Sequence, residues 1–429
     1  MDILLKNTEI FSPADGFREV TDILIIDGVI EKIGNVKSTK TAGKNVKEID
    51  LKRKTTVPGF YDMHVHFREP GQTHKEDIVT GTEAAANGGF TGVLCMPNTD
   101  PPLDSPVILK SLFEKTKDIL TDVDIAACAT LKREGERLAP LLSLAEAGAA
   151  AFTDDGSPIA NPELMRRVLE YTSQTGSVVI QHCEDMTLSN KGMMNEGYIS
   201  TLMGVKGIPE ISETSVIARD ILFTEYVKNS RYHIQHISCG KSVELLRNAK
   251  SKNINVTGEV CPHHFILTDN ECLEYNTNAK MNPPLRTSDD VERILEGLKD
   301  DTIDVICTDH APHTEYEKEQ GFYAAPFGIV GLETAVGLAY TYLVKEGIIS
   351  FEQLIRKMSL NPRRILGLKE IRLAEGEPAN LSVLDLKKKW VINKSKFRSK
   401  SRNTPFDGYE VQCRPYCVIN KNQIYFSKL

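Results

Sequence analysis

Between residues 56 and 365, short β-branched or apolar runs alternate with longer helical stretches, and this alternation constrains the fold more than any other feature. Eight runs read as strands: "TTVPGFYDMHVH", "TGVLCMP", "VDIAACAT", "GAAAFTD", "SVVIQHC", "YHIQHIS", "NVTGEVC" and "IDVICTD". Stretches such as "SPVILKSLFEKTKDIL" and "DDVERILEGLKD" carry the helical pattern. Strands that alternate with helices build a parallel sheet. Eight of them suit a closed barrel whose catalytic groups gather at the carboxyl ends of the strands. The expected fold is α/β: a TIM-type (β/α)8 barrel over 56–365, with a small β-sandwich domain formed from both termini, 1–55 and 366–429. The flanking β-like runs are "DILLKNTEIF" and "DILIIDGVIEKIG", turned at Asp27-Gly28, then "ANLSVLDL", "YEVQCRPYCVIN" and "NQIYFSKL".

Bulk properties exclude some functions. The chain is 41% hydrophobic and 26% charged, an ordinary globular composition. A formal charge of −7 leaves no basic surplus for nucleic acid or an anionic membrane. A small anionic substrate needs only one or two placed arginines. The opening "MDILLKNTEIF" lacks the apolar core of a signal peptide, and no run of about 18 apolar residues suggests a membrane span. Nine scattered cysteines without CxxC spacing read as reduced thiols in a cytoplasm.

The chemistry sits at the strand ends. All ten histidines lie between residues 64 and 313. His64 and His66 end the first strand, Asp154-Asp155 the fourth, His182 the fifth, His236 the sixth and Asp309 the eighth. Imidazole and carboxylate together suit zinc or a similar divalent ion, which activates water near neutral pH. An HxH pair alone is more often structural than ligating, and a single strand-end His is usually a hydrogen-bonded core residue. Matching residue types at five of eight strand ends reverse that weighting. His233, three before His236, points to the opposite face of a regular strand and is left out. His263 and His264 in "CPHH" read as loop structure. "CGKS" at 239–242 is not a phosphate loop, because position 235 is Gln where that motif needs Gly.

With these residues in place, "DMHVHFREPG", "MPNT", "FTDDG", "HCED", "NPPLR", "TDHAPH", "PFGIVGLET" and "SKSRNTPF" together resemble dihydroorotase of the bacterial type, within the cyclic amidohydrolases. The resemblance runs almost end to end; "HVHFREPG" and "TDHAPH" are its specific signatures. It implies reversible closure of N-carbamoyl-L-aspartate to L-dihydroorotate plus water, in pyrimidine synthesis. It carries metal ligands over to His64, His66, Asp155, His182, His236 and Asp309, with Zn2+ as the ion, one or two per chain. Asp155 is chosen over Asp154 by its distance to His182. Many relatives bridge two metals with a carboxylated lysine; the fourth strand here has none, so Asp155 is assigned the bridge.

The same resemblance assigns substrate contacts. Arg68, on the same side of an extended chain as His66, would pair with the dihydroorotate carboxylate, helped by Asn98 and His313. Asn282 and the backbone of Phe327-Gly328 would hold the ring amide edges. Asp309 is expected to take the proton of water and pass it to the leaving nitrogen. The stretch from His313 to Gly328 reads either as a lid or as an ordinary surface loop. Allantoinase or dihydropyrimidinase is the nearest other reading, with Arg68 as discriminator. A non-catalytic scaffold partner of aspartate transcarbamoylase is a further one, which the full ligand set disfavours. A homodimer and an association with aspartate transcarbamoylase stay open.

Overall fold

The structure, a computed structural model, describes residues 2–13, 17–36 and 46–429; the parts of the expected terminal domain at 1, 14–16 and 37–45 lie outside the described residues. The amino-terminal strands are β1 (Asp2–Ser12), β2 (Phe17–Ile26), β3 (Val29–Ile33), β4 (Val46–Asp50) and β5 (Thr55–Pro58). Asp27 and Gly28, with φ of 49° and 78°, make the turn between β2 and β3. The barrel strands follow: β6 (Phe60–Val65), β7 (Phe90–Cys95), β8 (Asp122–Ala127), β9 (Ala151–Phe152) and β10 (Val178–Gln181). After a two-stranded ribbon, β11 (Met194–Asn195) and β12 (Gly207–Ile208), come β13 (Tyr232–Ile234), β14 (Val256–Val260) and β15 (Val305–Ile306). The chain ends in β16 (Leu381–Val391), β17 (Glu410–Asn420) and β18 (Gln423–Phe426).

Two eight-stranded sheets result. One runs β18-β17-β16-β5-β1-β2-β3 with β4 paired to β1, so strands from both chain ends interleave in a single hydrogen-bonded sheet. Ile3, Ile23, Ile30, Leu381, Val383 and Ile419 share its apolar cluster. The other is the parallel sheet β6-β7-β8-β9-β10-β13-β14-β15. It closes through a bridge from Val65 to His310 and through Asp62, whose Oδ1 accepts the Thr308 N–H at 3.2 Å.

The sequence run "TTVPGFYDMHVH" is two strands rather than one. Its first half, β5, pairs antiparallel with β16, and the chain enters the barrel at Gly59. There a side chain is impossible without movement: a Cβ would lie 2.0 Å from Asn380 Oδ1 and 2.1 Å from Thr91 Oγ1. The Gly59 carbonyl accepts from Ser359 Oγ and Arg363 at 2.8 Å each.

Period-two alternation then fixes which strand residues face the barrel axis. Leu94, Met96, Ala126, Ala151, Val178, Ile180, Cys261, Val305 and Cys307 belong to one buried cluster. Their neighbours Val93, Ile125, Ala127, Phe152, Val179, Val260 and Ile306 pack into the other cluster, with the helices. Continuing the inward series past the strand ends reaches Asn98, Asp155, His182 and Asp309.

Helices are delimited by local signals. Asp77 and Thr80 form a capping box before Ile78–Gly88, which stops at Gly89 with φ 97°. Asn161 caps Pro162–Thr175, and Thr287 with Asp290 caps Ser288–Lys299.

Because Gly59 is wedged at the joint between the two sheets, Gly59→Ala must displace the Thr91–Asn380 contact. We expect it to destabilise the chain by about 1–3 kcal/mol, as overpacked cores do. A thermal melt that leaves Tm unchanged would contradict this close packing.

Candidate active site

The first strand brings its histidines inward by an irregularity. Between the pairs Asp62–Val93 and Val65–Cys95, β6 carries one more residue than β7. Such a bulge shifts the alternation by one, so Tyr61 and Met63 face the barrel interior and, beyond it, His64 and His66 do too. Asp62 steadies the bulge by accepting the His64 N–H at 3.1 Å, and burial raises its pKa to about 7.

A cavity of about 220 Å³ opens at the carboxyl ends of the strands. It is lined by His66, Arg68, Asn98, Asp155, His182, His236, Asn282, Asp309, His313, Phe327 and Gly328, among others. His64 is fully buried against these groups. All the site residues expected from sequence therefore meet in one place, whereas His263 and His264 sit on the buried helix Pro262–Ile266 and do not line the cavity.

Three of the imidazoles, His64, His66 and His182, have one ring nitrogen held by a side-chain oxygen and the other turned to neighbouring site residues. His64 Nδ1 lies 2.6 Å from Glu259 Oε1, and its Nε2 is 3.5 Å from Asp155 Oδ1 and 3.4 Å from Asp309 Oδ1. His66 Nδ1 meets Asn98 Oδ1 at 2.8 Å and its Nε2 meets Asp309 Oδ1 at 2.9 Å. His182 Nε2 meets Glu184 Oε2 at 3.0 Å, leaving Nδ1 facing His236 Nε2 at 2.9 Å. In the neutral ring, an acceptor on one nitrogen makes it the N–H and leaves the other as the lone pair that a cation can take.

His64, Asp155 and His236 form one cluster with ligand atoms within 4.8 Å of one another; His64, His66 and Asp309 form another. The donor set suits a divalent cation. Asp155 supplies a direct sign: its Oδ1 is buried and has no hydrogen-bond partner. Asp154, one residue earlier, points out of the barrel and accepts from Ala129 N at 2.9 Å, Thr130 N at 3.0 Å and the Thr130 hydroxyl.

The electrostatics agree. Burial disfavours charge on His64, but the Asp309 and Glu259 carboxylates overcome it and raise its pKa well above the ordinary value. Burial likewise opposes ionisation of Asp155, yet the His64 ring beside it and the charges of His66 and His182 hold it well below the usual carboxylate range. His236 is kept neutral by burial and by the His182 and His64 rings, the state in which imidazole binds a metal.

The structure corrects several expectations. Arg68 is not on an extended chain: its φ is 57°, so the chain turns after His66 and brings the guanidinium back over the cavity. Its Nε donates to Pro312 O at 3.2 Å, and its NH2 lies 3.3 Å from His313 Nε2. Gly328 has no free backbone group for substrate, because its N–H donates to Lys280 O while its carbonyl accepts from Lys318 Nζ and Asn403 Nδ2. Asn98 and Asn282 are also engaged, Asn98 holding His66 and Asn282 Nδ2 donating to Glu184 Oε2 at 2.9 Å. The expected loop after His313 contains the helix Glu315–Lys318 and is anchored by the buried Lys318. The orientation expected of His233 fails too. His233 faces inward to Glu259 at 3.2 Å, and His236 reaches the cavity because its φ of 29° breaks the alternation.

Sequence reasoning missed Glu259 and Glu184. Glu259 is fully buried between His64 and His233, which hold its pKa near 2 against the effect of burial. Its signal was a lone acid in the apolar run "GEVC". Glu184 was visible in "HCED" and is likewise held near 2 by His182 despite burial.

A parallel barrel with histidines and carboxylates at its carboxyl mouth defines a metal-dependent amidohydrolase. Residues 53–242 match the family model described as dihydro-orotase-like. The chain is 45% identical over its full length to the full-length dihydroorotase of Acetivibrio thermocellus. Against the dihydroorotase of Pelotomaculum thermopropionicum it is 47% identical, covering 98% of this chain and 97% of that one. Among solved structures, the L-hydantoinase (dihydropyrimidinase) from Arthrobacter aurescens superposes with a TM-score of 0.85 at 25% identity, covering 100% of this chain and 96% of that one. A D-hydantoinase gives the same TM-score at 23% identity, with 100% and 95% covered, and shares the fold. The chain belongs to the dihydroorotase family.

Glu259→Gln keeps the shape beside His64 but weakens the acceptor. We expect metal affinity to fall roughly 10- to 100-fold, as when partners of ligating imidazoles are removed. Chelator competition on the purified chain measures it, and an unchanged affinity would show that Glu259 does not orient His64.

Proposed function

We propose that this chain catalyses the reversible cyclisation of N-carbamoyl-L-aspartate to L-dihydroorotate plus water, as a zinc-dependent enzyme. One observation carries the substrate assignment. Arg68 lies on the cavity with only 8% of its surface exposed, and among the described residues no carboxylate forms an ion pair with it. Burial lowers its pKa to about 10, so it stays cationic at neutral pH. A buried guanidinium facing a cavity calls for an anion, and the ring carboxylate of dihydroorotate supplies one.

His64, His66, Asp155, His182, His236 and Asp309 are the residues that would hold one or two zinc ions. When bound, such an ion lowers the pKa of water and polarises a carbonyl oxygen. The chain's own groups do the rest. Arg68 and His313 orient the ring by its carboxylate, with His66 and Asn98 beside them. Asn282 presents its side-chain oxygen to the ring, and Phe327 closes one wall. Asp309 accepts the proton of the attacking water and returns it to the departing ring nitrogen. Ring closure runs these proton transfers backwards and consumes one proton, because two carboxylates become one. The unusual φ of 46° at Asp309 keeps its carboxylate next to His66 for both directions.

We assign the barrel, from Gly59 to about residue 365, as the catalytic domain, and the two terminal segments as the β domain. All nine cysteines are free and buried, including Cys261 and Cys307 with their sulfurs 3.5 Å apart, which supports a reducing cytoplasm. No helix among the described residues is long and apolar enough to cross a membrane.

Arg68→Met tests the reading. Removing one partner of a buried charge pair costs about 2–5 kcal/mol, so kcat/KM for dihydroorotate should fall about thirtyfold at least. Metal per chain should stay at the wild-type level. Equal turnover of dihydroorotate by the variant would overturn the substrate assignment, and a preference of the wild type for hydantoin, dihydrouracil or allantoin would replace it.

Zinc per chain is the second test. Removing the metal with a chelator should abolish dihydroorotate hydrolysis, and added zinc should restore it. Full activity in a chain shown to be metal-free would exclude the assigned chemistry.

A further inference from the structure

The wall of the cavity around His313 and Gly328 is not held by the barrel alone. Asn403 lies some ninety residues beyond His313, in the segment between β16 and β17, and is 3% exposed. Its side-chain oxygen accepts the His313 N–H at 3.1 Å. Its amide nitrogen donates to Ala311 O at 2.9 Å and to Gly328 O at 3.0 Å. Its own carbonyl accepts the Val330 N–H at 2.9 Å. Ala311, His313 and Gly328 all line the cavity, whereas Asn403 does not.

We propose that Asn403 is a positioning residue, which sets the carboxylate-recognising end of the cavity from outside the barrel. Only a neutral planar amide offers one acceptor and two donors in this arrangement, matching one N–H and two carbonyls. An aspartate would place an oxygen against two carbonyl oxygens, and an alanine would strip the His313 N–H and the Ala311 carbonyl of this partner and leave Gly328 O with Lys318 alone. The segment that carries Asn403 is itself fixed. The backbone N–H groups of Arg398 and Ser399 donate to the Glu333 carboxylate at 2.7 and 3.2 Å, and Ser401 Oγ donates to Lys75 O at 2.8 Å. A rigid mount of this kind can hold a neighbouring side chain in register.

The consequence falls on one part of the site. His313 Nε2 is 3.3 Å from the Arg68 guanidinium, so moving His313 disturbs the group that meets the substrate anion. None of the hydrogen bonds of Asn403 reaches His64, His66, Asp155, His182, His236 or Asp309. Binding should suffer while the chemical step is spared. The inference rests on the reading of Arg68 and His313 as the carboxylate contact, and its test separates the two.

Asn403→Ala and the nearly isosteric Asn403→Asp, made in the full-length metal-loaded chain, are compared with wild type. KM for dihydroorotate should rise about tenfold or more, with kcat within about threefold and metal content unchanged. Hydrogen exchange should speed up in peptides covering 311–330 and stay the same in peptides from β6 to β10. Asn403→Asp gives the result if the alanine variant does not fold. Faster exchange with KM unmoved would reduce Asn403 to a structural residue and overturn the proposal, and so would unchanged exchange. If the wild type itself fails on dihydroorotate, the substrate reading falls, and the exchange result still decides whether Asn403 holds this wall.

Discussion

The site depends on one buried contact, the 2.6 Å approach of Glu259 to His64 Nδ1. His64 belongs to both of the candidate ligand clusters at the cavity, with Asp155 and His236 and with His66 and Asp309, so whatever fixes its ring fixes their common point. Glu259 is able to do this because it is itself pinned, with His233 on its second oxygen and no exposure to water. A carboxylate buried this deeply would be costly without partners. With two imidazoles on it, its charge is retained and shared toward the cavity. The excess of carboxylate around His64, which raises the pKa of that ring, favours any cation placed at the same spot.

Much of this was legible because a barrel strand has period two and catalytic groups sit just past its end. Counting in twos from Ala151 reaches Asp155 and passes over Asp154; counting from Val178 reaches His182, and from Val305 reaches Asp309. Where the count fails, a local backbone change is responsible. The extra residue in β6 re-aims His64 and His66, and the φ of 29° re-aims His236 while the regular strand sends His233 inward. Neither change is written in residue type, since a bulge and a left-handed turn at histidine have no composition signal. Glu259 escaped for a related reason. Its role is set by His64, 195 positions away in sequence, and only the closed barrel brings the two together.

The recognition end of the cavity was less legible than the ligands, and the cause is again geometric. The candidate ligands lie in or just past strands, whose direction a sequence largely fixes; Arg68, His313 and Gly328 sit in irregular segments. Arg68 and Gly328 take positive φ, and a Cβ at Gly328 would come within 2.8 Å of both Ala311 O and the His313 ring. Glycine is required there for close packing and leaves no backbone group for the ligand. Such turns are held by contacts from elsewhere, here Lys280, Lys318 and Asn403, which a reading of the barrel segments alone does not connect.

The division between frame and rim bears on selectivity. Solved hydantoinases share this fold, so a parallel barrel of this kind does not by itself choose among cyclic amides. What distinguishes one ring from another must lie where the rings differ, and dihydroorotate differs by a carboxylate. In this chain the cation that would meet it, Arg68, follows His66 by two residues, but with a positive φ. The proposed roles of catalysis and selection are therefore adjacent in sequence but held by different partners: His64 through Glu259 and His66 through Asn98, while Arg68 is held through Pro312 and His313. A change on the rim can alter which ring is accepted without moving the ligands, which is how one frame comes to serve several substrates.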